Sequence, residues 1–155
     1  MNYFASLGRQ ASLYSVTLAI AAFFMAEAAL AQTTAGIVKN VSGSALIVRG
    51  DRSLPAEPGS KLMAGDVVRT SAESSVGVML KDETRLSVGS SSQAALEKFS
   101  FNADSHKGGM TVNVVKGTLS MISGLLVKAN PGEVLVKTPT STAGIRGTFF
   151  VVEVY

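Results

Sequence analysis

The chain has no cysteine, no tryptophan and a single histidine, His106, among its 155 residues. Without cysteine no disulfide can hold the fold, so a stable domain has to rely on its core alone. The same absence excludes a lipid anchor attached through a cysteine. It also leaves zinc without thiolate ligands or a second imidazole. The composition therefore argues against a disulfide scaffold, a lipoprotein and a zinc site.

Long apolar runs are also missing, except near the amino end. There, Arg9 is followed by an apolar run from Val16 to Ala26 and by the small residues of Ala29-Leu30-Ala31. This order is typical of a secretory signal peptide and predicts cleavage after the last of these alanines. A transmembrane anchor is the less favoured alternative, because a span needs about 20 apolar residues and Glu27 interrupts the run. We therefore expect a helical, cleaved signal peptide in front of a mature domain that begins at Gln32.

Removal of residues 1–31 from the 155 leaves 124, and the formal net charge stays at +3 because one arginine and one glutamate leave together. This length suits one domain, 32–155, that buries roughly two-thirds of its unfolded surface. An exported domain without disulfides fits the periplasm better than the extracellular space. Its basic residues do not cluster on one face, and export makes nucleic acid an implausible partner. Attraction to anionic cell-wall polymers or lipid headgroups stays open, with little in the sequence to support it. No later segment is apolar for long enough to cross a membrane.

Short apolar runs separated by Gly, Ser, Asp and Pro predict an all-β domain. The clearest case is a hairpin in which alternate apolar residues in Val76–Leu80 and Leu86–Val88 flank a turn at Lys81-Asp82-Glu83. Apart from the signal peptide, no apolar run keeps helical spacing for three turns. The pattern therefore predicts short strands and no long helix in the mature domain.

Further strands are predicted near the carboxyl end. Val112/Val114 and Leu119/Met121 suggest two strands joined at Lys116-Gly117, and Val134–Val136 suggests another that ends before Pro139. Strand-turn units of similar form recur along the chain. We therefore expect short strands in stacked or twisted sheets that are partly β-solenoid-like.

Three blocks of the sequence resemble the FecR domain, a periplasmic all-β module. They are Gly65-Asp-Val-Val-Arg-Thr70, the hairpin Val76–Val88, and the stretch from Thr138-Pro139 through Ile145-Arg-Gly-Thr-Phe-Phe-Val151. Their order and spacing make the resemblance specific, and it covers roughly Gly36 to Val154. One departure lies in the hairpin, where the family usually has Asp-Gly and this chain has Asp82-Glu83.

The resemblance implies a set of signature residues with structural roles, and it implies no catalytic residue, metal or cofactor. The set consists of Gly65, Asp66, Thr70, Thr138, Pro139, Arg146, Gly147, Thr148 and Phe150. FecR regulators also have a cytoplasmic segment that acts on a sigma factor and a transmembrane helix, where this chain has the predicted signal peptide. Longer relatives continue beyond the position of Tyr155. The resemblance therefore implies a periplasmic module that receives a signal by protein contact, without the part that acts on a sigma factor.

Arg146 is the residue for which the sequence makes the sharpest structural prediction. If Phe150, Val152 and Val154 face the core, strand alternation places Thr148 and Arg146 on the same inward side. A buried guanidinium needs a carboxylate or several carbonyl groups. We therefore expect Arg146 to tie the preceding loop to the sheet, with ligand binding as the less favoured alternative, and Gly147 to allow a bulge or a close backbone approach.

No convincing catalytic or metal site follows from the polar residues. Asn102, Asp104 and His106 alternate as calcium-loop ligands do, yet Lys107 stands where that loop needs glycine and no glutamate closes it. A serine hydrolase would use His106, but no nucleophile motif accompanies it, and Ser90-Ser91-Ser92 is interpreted as a turn.

The carboxylates at strand ends are expected to accept turn hydrogen bonds. They are Asp51, Asp66, Asp82 and Glu83. A glycan hydrolase would need two of them facing each other about 5–10 Å apart, a geometry that the sequence leaves open.

Three functions remain after these exclusions. The favoured one is a non-enzymatic module that binds a protein partner or a cell-envelope glycan, through features such as unpaired strand edges. The second is a structural envelope protein that assembles with copies of itself. The third and least favoured is a glycan hydrolase. The identity of the partner and the oligomeric state are left open.

Overall fold

The computed structural model describes residues 33–155 and confirms the all-β prediction. Twelve strands account for most of these residues. They are β1 (Thr34–Ser42), β2 (Ala45–Arg49), β3 (Arg52–Pro55), β4 (Lys61–Met63), β5 (Val67–Thr70), β6 (Ser75–Leu80), β7 (Arg85–Val88), β8 (Gln93–Phe101), β9 (Gly108–Ile122), β10 (Val134–Lys137), β11 (Thr142–Gly144) and β12 (Phe149–Val154). One short helix, α1 (Leu125–Ala129), and a 3-10 turn (Pro131–Glu133) connect β9 to β10.

The strands form one curled sheet in the shape of a half-barrel. Its main path runs β3-β2-β5-β8-β9-β7-β6-β1-β4, and β10, β11 and β12 join it through β9. Within 33–155 every strand pair is antiparallel except β9 with β10. The parallel stacking that a β-solenoid repeats is thus confined to one pair, and the architecture is a curled antiparallel sheet.

The longest strand, β9, pairs with four others and joins the two ends of the sheet. Its first half pairs with β8 and β10, and its second half pairs with β7 and β12. The two strands predicted here are therefore one, and the chain continues through a bulge at Val115 instead of turning at Lys116-Gly117. Gln93 pairs with Lys116 while Ala94 pairs with Val114, so Val115 is the extra residue. The bulge bends the strand and lets it serve both parts of the sheet.

The concave side of the half-barrel holds a single apolar core, to which all strands from β1 to β10 except β3 contribute buried side chains. The predicted hairpin is confirmed as β6–β7: Val76 pairs with Val88 and Val78 with Leu86, and all four are buried. The alternation of these residues fixes the pairing register, because a shift of the register by one residue would turn every apolar side chain outward.

The turn of this hairpin is packed against the segment that precedes α1. Asp82 and Thr84 are fully buried, with the Thr84 hydroxyl donating to Asp82 Oδ2 at 2.6 Å. The Gly124 N–H donates to Thr84 Oγ1 at 3.1 Å. A Cβ on Gly124 would lie 2.1 Å from the Asp82 carbonyl oxygen, so only glycine allows this approach.

Polar side chains brace the parallel strand β10 across β9. Lys137 on β10 reaches Glu97 on β8 at 3.0 Å, and Asn113 on β9 donates to the same carboxylate at 2.8 Å. The hydrogen bonds from Lys137 and then Asn113 lower the pKa of Glu97 below its ordinary value. All three groups are at the surface, so the brace adds little stability beyond fixing the position of β10.

The predicted signal peptide, 1–31, lies outside the described residues. Between residues 33 and 155, no helix is both long and apolar enough to cross a membrane.

Candidate binding surface on the outer face of the sheet

Asp66 lies at the centre of a buried clasp between three strands. Arg49 at the end of β2 binds it through two hydrogen bonds, Nε to Oδ1 at 2.8 Å and Nη2 to Oδ2 at 2.7 Å. The same guanidinium donates to the Lys61 carbonyl on β4, and the Met63 N–H donates to Asp66 Oδ2 at 2.7 Å. Asp66 is only 1% exposed, and its hydrogen bonds raise the pKa of Arg49. Gly65, with φ of +92°, provides the left-handed turn before it.

Thr70 performs a similar task at the other end of β5. Its hydroxyl donates to the Gly89 carbonyl at 2.5 Å and accepts the Ser92 N–H at 2.9 Å. The segment Ser90-Ser91-Ser92 is a turn, as predicted, and Thr70 holds it against the sheet. Two of the signature residues, Asp66 and Thr70, are thus occupied with structural hydrogen bonds.

Thr138 and Pro139 form the tight connection between β10 and β11. The Thr138 N–H donates to the Ser141 carbonyl at 2.8 Å, and the Ser141 N–H donates back to Thr138 Oγ1 at 3.1 Å. The predicted end of a strand at this point is confirmed, since β10 stops at Lys137. Proline suits the turn because it fixes φ and needs no hydrogen-bond acceptor.

The inward orientation predicted for Arg146 and Thr148 is wrong. Both are exposed, whereas Ile145 is 4% exposed and fills the core in their place. Strand β12 begins only at Phe149, and Gly147 has φ of +124°, so strand alternation cannot be extended back through it. Phe150 is half-buried against the core. The expected clamp by a buried Arg146 is therefore absent, and the arginine–carboxylate pair among residues 33–155 is Arg49–Asp66, in which only the carboxylate is fully buried.

The remaining polar candidates do not converge. Asp82 is buried in its own turn, whereas Asp51 and Glu83 lie exposed in separate turns. His106 is exposed and stacks on Phe101, with ring centroids 6.2 Å apart. In the part of the chain that the structure describes, no three His, Asp or Glu residues are grouped as metal ligands are.

The exposed side of the sheet formed by β12, β9, β7, β6 and β1 presents a surface that the sequence did not reveal. Inward residues on these strands alternate with outward ones, and the pairing registers align the outward residues across the strands. The large row, as we name it, consists of Phe149, Ile122, Arg85, Met79 and Ile37. The small row, parallel to it, consists of Val151, Ser120, Ser87, Gly77 and Asn40.

A groove of about 220 Å³ follows from the different sizes of the two rows. Ser120, Ser87 and Gly77 are neighbours on adjacent strands and leave a low floor, while Phe149 and Ile122 stand beside it. A Cβ on Gly77 would lie only 2.1 Å from the side-chain oxygen of Asn40, so the Asn40 amide fits here because residue 77 has no side chain. Two basic residues, Lys39 and Arg85, also line the groove.

The groove opens beside an unpaired strand edge. Within residues 33–155, β12 pairs only with β9, in a ladder of six residue pairs from Phe149 to Val154. Phe149 is 67% exposed and Val151 is 51% exposed. No alternation rule on a single strand could have indicated this surface, because it depends on the register of five strands.

These features define an all-β sheet domain in which Phe149, Val151 and Ile122 are exposed together on one outer face and its edge. A family model described as FecR protein matches residues 66–155. This match covers more than half of the chain, so the chain belongs to the FecR family, and the resemblance seen in the sequence is confirmed over that range. Searches of curated proteins and of solved structures give no significant match to the chain.

The matched region and the folded sheet do not have the same limits. The family match begins at Asp66, directly before β5, whereas the sheet includes β1 to β4 from residue 34 onward. The matched region contains four of the five strands of the outer face, and β1 lies outside it. The groove therefore combines family-matched strands with a strand that precedes them.

Proposed function

We propose that this chain is a non-enzymatic FecR module that binds a protein partner through the edge of β12 and the adjoining outer face. FecR domains are generally associated with signalling to sigma factors. The role proposed for this chain is the partner contact in such signalling, in the periplasm, to which the predicted signal peptide would direct it. The observation that carries the proposal is the unprotected edge of β12.

The edges of the described sheet differ in how they are protected. At one end, β3 carries Arg52 and Pro55, a charge and a residue without an N–H, which are typical means of blocking strand addition. In contrast, β12 offers six residues with Glu153 as its single charge, and two of its apolar side chains are largely exposed. Natural sheets rarely leave such an edge bare, because it pairs readily with another chain. An edge of this kind supports binding by strand addition.

The buried polar groups support binding over catalysis. Asp66, Thr70, Asp82 and Thr84 each have hydrogen-bond partners within the fold that account for their burial. A general acid or base must reach a substrate proton, and these groups are directed into the sheet and its turns. A glycan hydrolase would need a facing pair of free carboxylates, and the buried carboxylates of this domain are committed elsewhere.

Site-specific photocrosslinking in periplasm-containing cells tests the proposal. A photoreactive amino acid at Val151, on the edge of β12, is expected to capture one heterologous protein. The matched control is the same amino acid at Leu54 on β3, which is also exposed and also on an edge strand, and which should not capture that protein.

Two outcomes would contradict the proposal. Crosslinks that join only two copies of this chain would favour the self-assembling structural protein, and sizing of the purified chain would then show an oligomer. Equal capture at Val151 and Leu54 would mean that β12 is not the binding edge.

A further inference from the structure

Two positively charged side chains line the groove on the outer face, and no carboxylate lines it with them. Lys39 and Arg85 both line it, and no carboxylate of residues 33–155 lies within 4.0 Å of either one. Two basic groups of residues 33–155 do have such a partner, Arg49 in Asp66 and Lys137 in Glu97. The two groove cations therefore remain available to an acidic ligand.

Lys39 reaches this face because β1 carries a bulge. The pairing of β1 with β6 shifts between Val38 and Asn40, so Lys39 is an extra residue without a partner on β6. Val38 is buried, whereas Lys39 and Asn40 are both exposed. A regular strand would direct two successive side chains to opposite faces. The bulge re-aims one of them, so that a lysine and an amide lie side by side at the end of the groove.

The wall of the groove formed by the large row is mostly apolar, with Arg85 between Ile122 and Met79. Phe149, Ile122 and Met79 all line the groove, and Lys39 adds the second charge from β1. A purely ionic ligand would leave these surfaces in contact with water. A purely apolar ligand would desolvate two cations without compensation. The lining therefore matches a ligand that has both an apolar group and a carboxylate.

The position of the groove favours a polypeptide over a lipid or a glycan. The groove begins next to β12, whose free N–H and C=O groups on its outer edge suit a main chain as partner. A segment that pairs with β12 has its alternate side chains on the same face as Phe149 and Val151. The chain flanking that segment can then cross the face and enter the groove.

We propose that the groove binds an acidic and apolar segment of the partner protein, with a carboxylate held by Lys39 and Arg85 and an apolar side chain packed on Phe149, Ile122 and Met79. This inference rests on the proposed function and specifies the chemistry of the partner. It makes charge complementarity on the outer face the basis of partner choice, with β12 supplying main-chain pairing.

An unbiased display library of short random peptides, selected on the immobilised chain, tests this chemistry. The selected peptides are expected to be enriched in Asp and Glu next to Leu, Ile or Phe. Their affinity should fall about tenfold or more in Arg85→Gln, because a charge-assisted hydrogen bond is lost, and it should fall as salt is added. Ser87→Leu, which fills the floor without a change of charge, should also weaken binding. Both positions are exposed. A thermal unfolding transition at the same temperature as in the unchanged protein verifies that the variants are folded.

Matched controls lie elsewhere on the sheet. Lys98→Gln removes an exposed charge from β8, and Ser53→Leu enlarges an exposed serine on β3, so neither should change peptide affinity. Selection of basic peptides, or equal affinity in Arg85→Gln and Lys98→Gln, would overturn the inference. Binding of phosphatidylglycerol vesicles that depends on Arg85, without enrichment of acidic peptides, would also overturn it in favour of a lipid surface.

The two proposals fail in different ways. If Val151 still captures a heterologous partner while Arg85→Gln and Ser87→Leu leave that capture unchanged, the edge binds the partner and the groove does not. If acidic peptides bind the groove but Val151 captures only copies of this chain, the proposed heterologous partner is wrong and the inference built on it is overturned as well.

Discussion

At the scale of single residues, Glu83 occupies a conformation that glycine adopts more easily. Its φ is +67°, and it follows a turn closed by the Glu83 N–H donating to the Leu80 carbonyl at 3.0 Å. Three-residue hairpin loops need a left-handed residue at this place. The resemblance to FecR domains implied glycine here, and in this chain Glu83 adopts the left-handed conformation instead.

We predict that Glu83→Gly raises the free energy of unfolding by about 0.5–1 kcal/mol. The left-handed conformation costs a residue with a Cβ about 1 kcal/mol, and the greater freedom of glycine in the unfolded chain offsets part of that gain. Urea unfolding measures the change. Glu83→Ala is the control, since it removes the charge but keeps the Cβ. If alanine stabilises the chain as much as glycine does, the effect arises from charge and the backbone argument is wrong.

Asp66 is the residue on which the junction of β2, β4 and β5 depends most. Its carboxylate accepts two hydrogen bonds from Arg49 and one from the Met63 N–H, and it is buried. Removal of its charge leaves a guanidinium without a counter-ion in a partly buried place, which is costlier than the loss of an exposed pair.

We predict that Asp66→Asn lowers the free energy of unfolding by about 2–3 kcal/mol, below the full value for a buried pair because Arg49 keeps some contact with water. The matched control is Glu97→Gln, which removes the exposed pair with Lys137 and should cost about 0.5 kcal/mol or less. Chemical denaturation of both variants decides the matter. Equal losses of unfolding free energy in the two variants would show that burial does not make the Arg49–Asp66 pair more important for stability than the exposed pair.

At the scale of elements, the bend of β9 depends on a glycine with two separate constraints. Gly117 has φ of +81°, and a Cβ there would lie 2.1 Å from Ser92 Oγ and 2.6 Å from Ser92 Cα. Ser92 cannot simply rotate away, because its hydroxyl accepts the Thr118 N–H at 2.8 Å and its backbone is paired with Thr70. The serine turn and the bend of β9 are thus packed together.

We predict that Gly117→Ala costs about 3 kcal/mol or more, as the sum of backbone strain and a steric clash in a well-packed region. Gly50→Ala is the control, because Gly50 also has a positive φ, of +56°, but has no atom within 4 Å of a built Cβ. It should cost only about 1 kcal/mol. Thermal unfolding of both variants tests the difference, and equal costs would mean that the contact with Ser92 is unimportant.

The local parts of these elements could be predicted from the sequence, and the non-local parts could not. The β6–β7 hairpin follows from alternation within Val76–Val88, since residues near each other in sequence determine both face and turn. The bend at Lys116-Gly117 has the composition of a turn, and only partners more than twenty residues away show that the strand continues. Helix α1 was missed because five residues carry too little periodicity to recognise.

The candidate site was predictable to a smaller extent than the fold. The inward face of β12 was correctly assigned through Phe150, but the same rule failed at Arg146 because Gly147 breaks the strand. The groove was not predicted. Ser87 and Ser120 belong to β7 and β9, which are adjacent in the sheet but have β8 between them in the sequence. Nothing in their local sequence indicates that they are neighbours.

At the scale of the whole molecule, the family-matched region is only part of the folded sheet. Strand β1 pairs with β6, and β2 pairs with β5, so the region from Asp66 onward depends on strands before it. Those earlier strands and their connections also supply buried core residues, which are Ala35, Val38, Ala45, Ile47, Ala56 and Leu62.

We predict that a fragment of residues 66–155 does not unfold cooperatively, whereas 33–155 does. Loss of the first strands exposes the edges of β5 and β6 and removes apolar side chains worth about 1.5–3 kcal/mol each for the large ones, more than the marginal stability of a domain allows. Denaturation followed by circular dichroism compares the two fragments. A sharp transition in 66–155 would show that the matched region folds independently and that β1 to β4 are accessory.

The four strands that pair with β9 also affect the order in which parts of the sheet can form during folding. Strands β7 and β8 precede β9 in the chain, and β10 and β12 follow it. In any folding that proceeds from the amino end, β9 can pair with the first two as soon as it is present, and it then serves as the template for the last two. Among the described strands, the edge of β12 is then the last to be created, and an edge that is exposed late has less time to pair with other chains during folding.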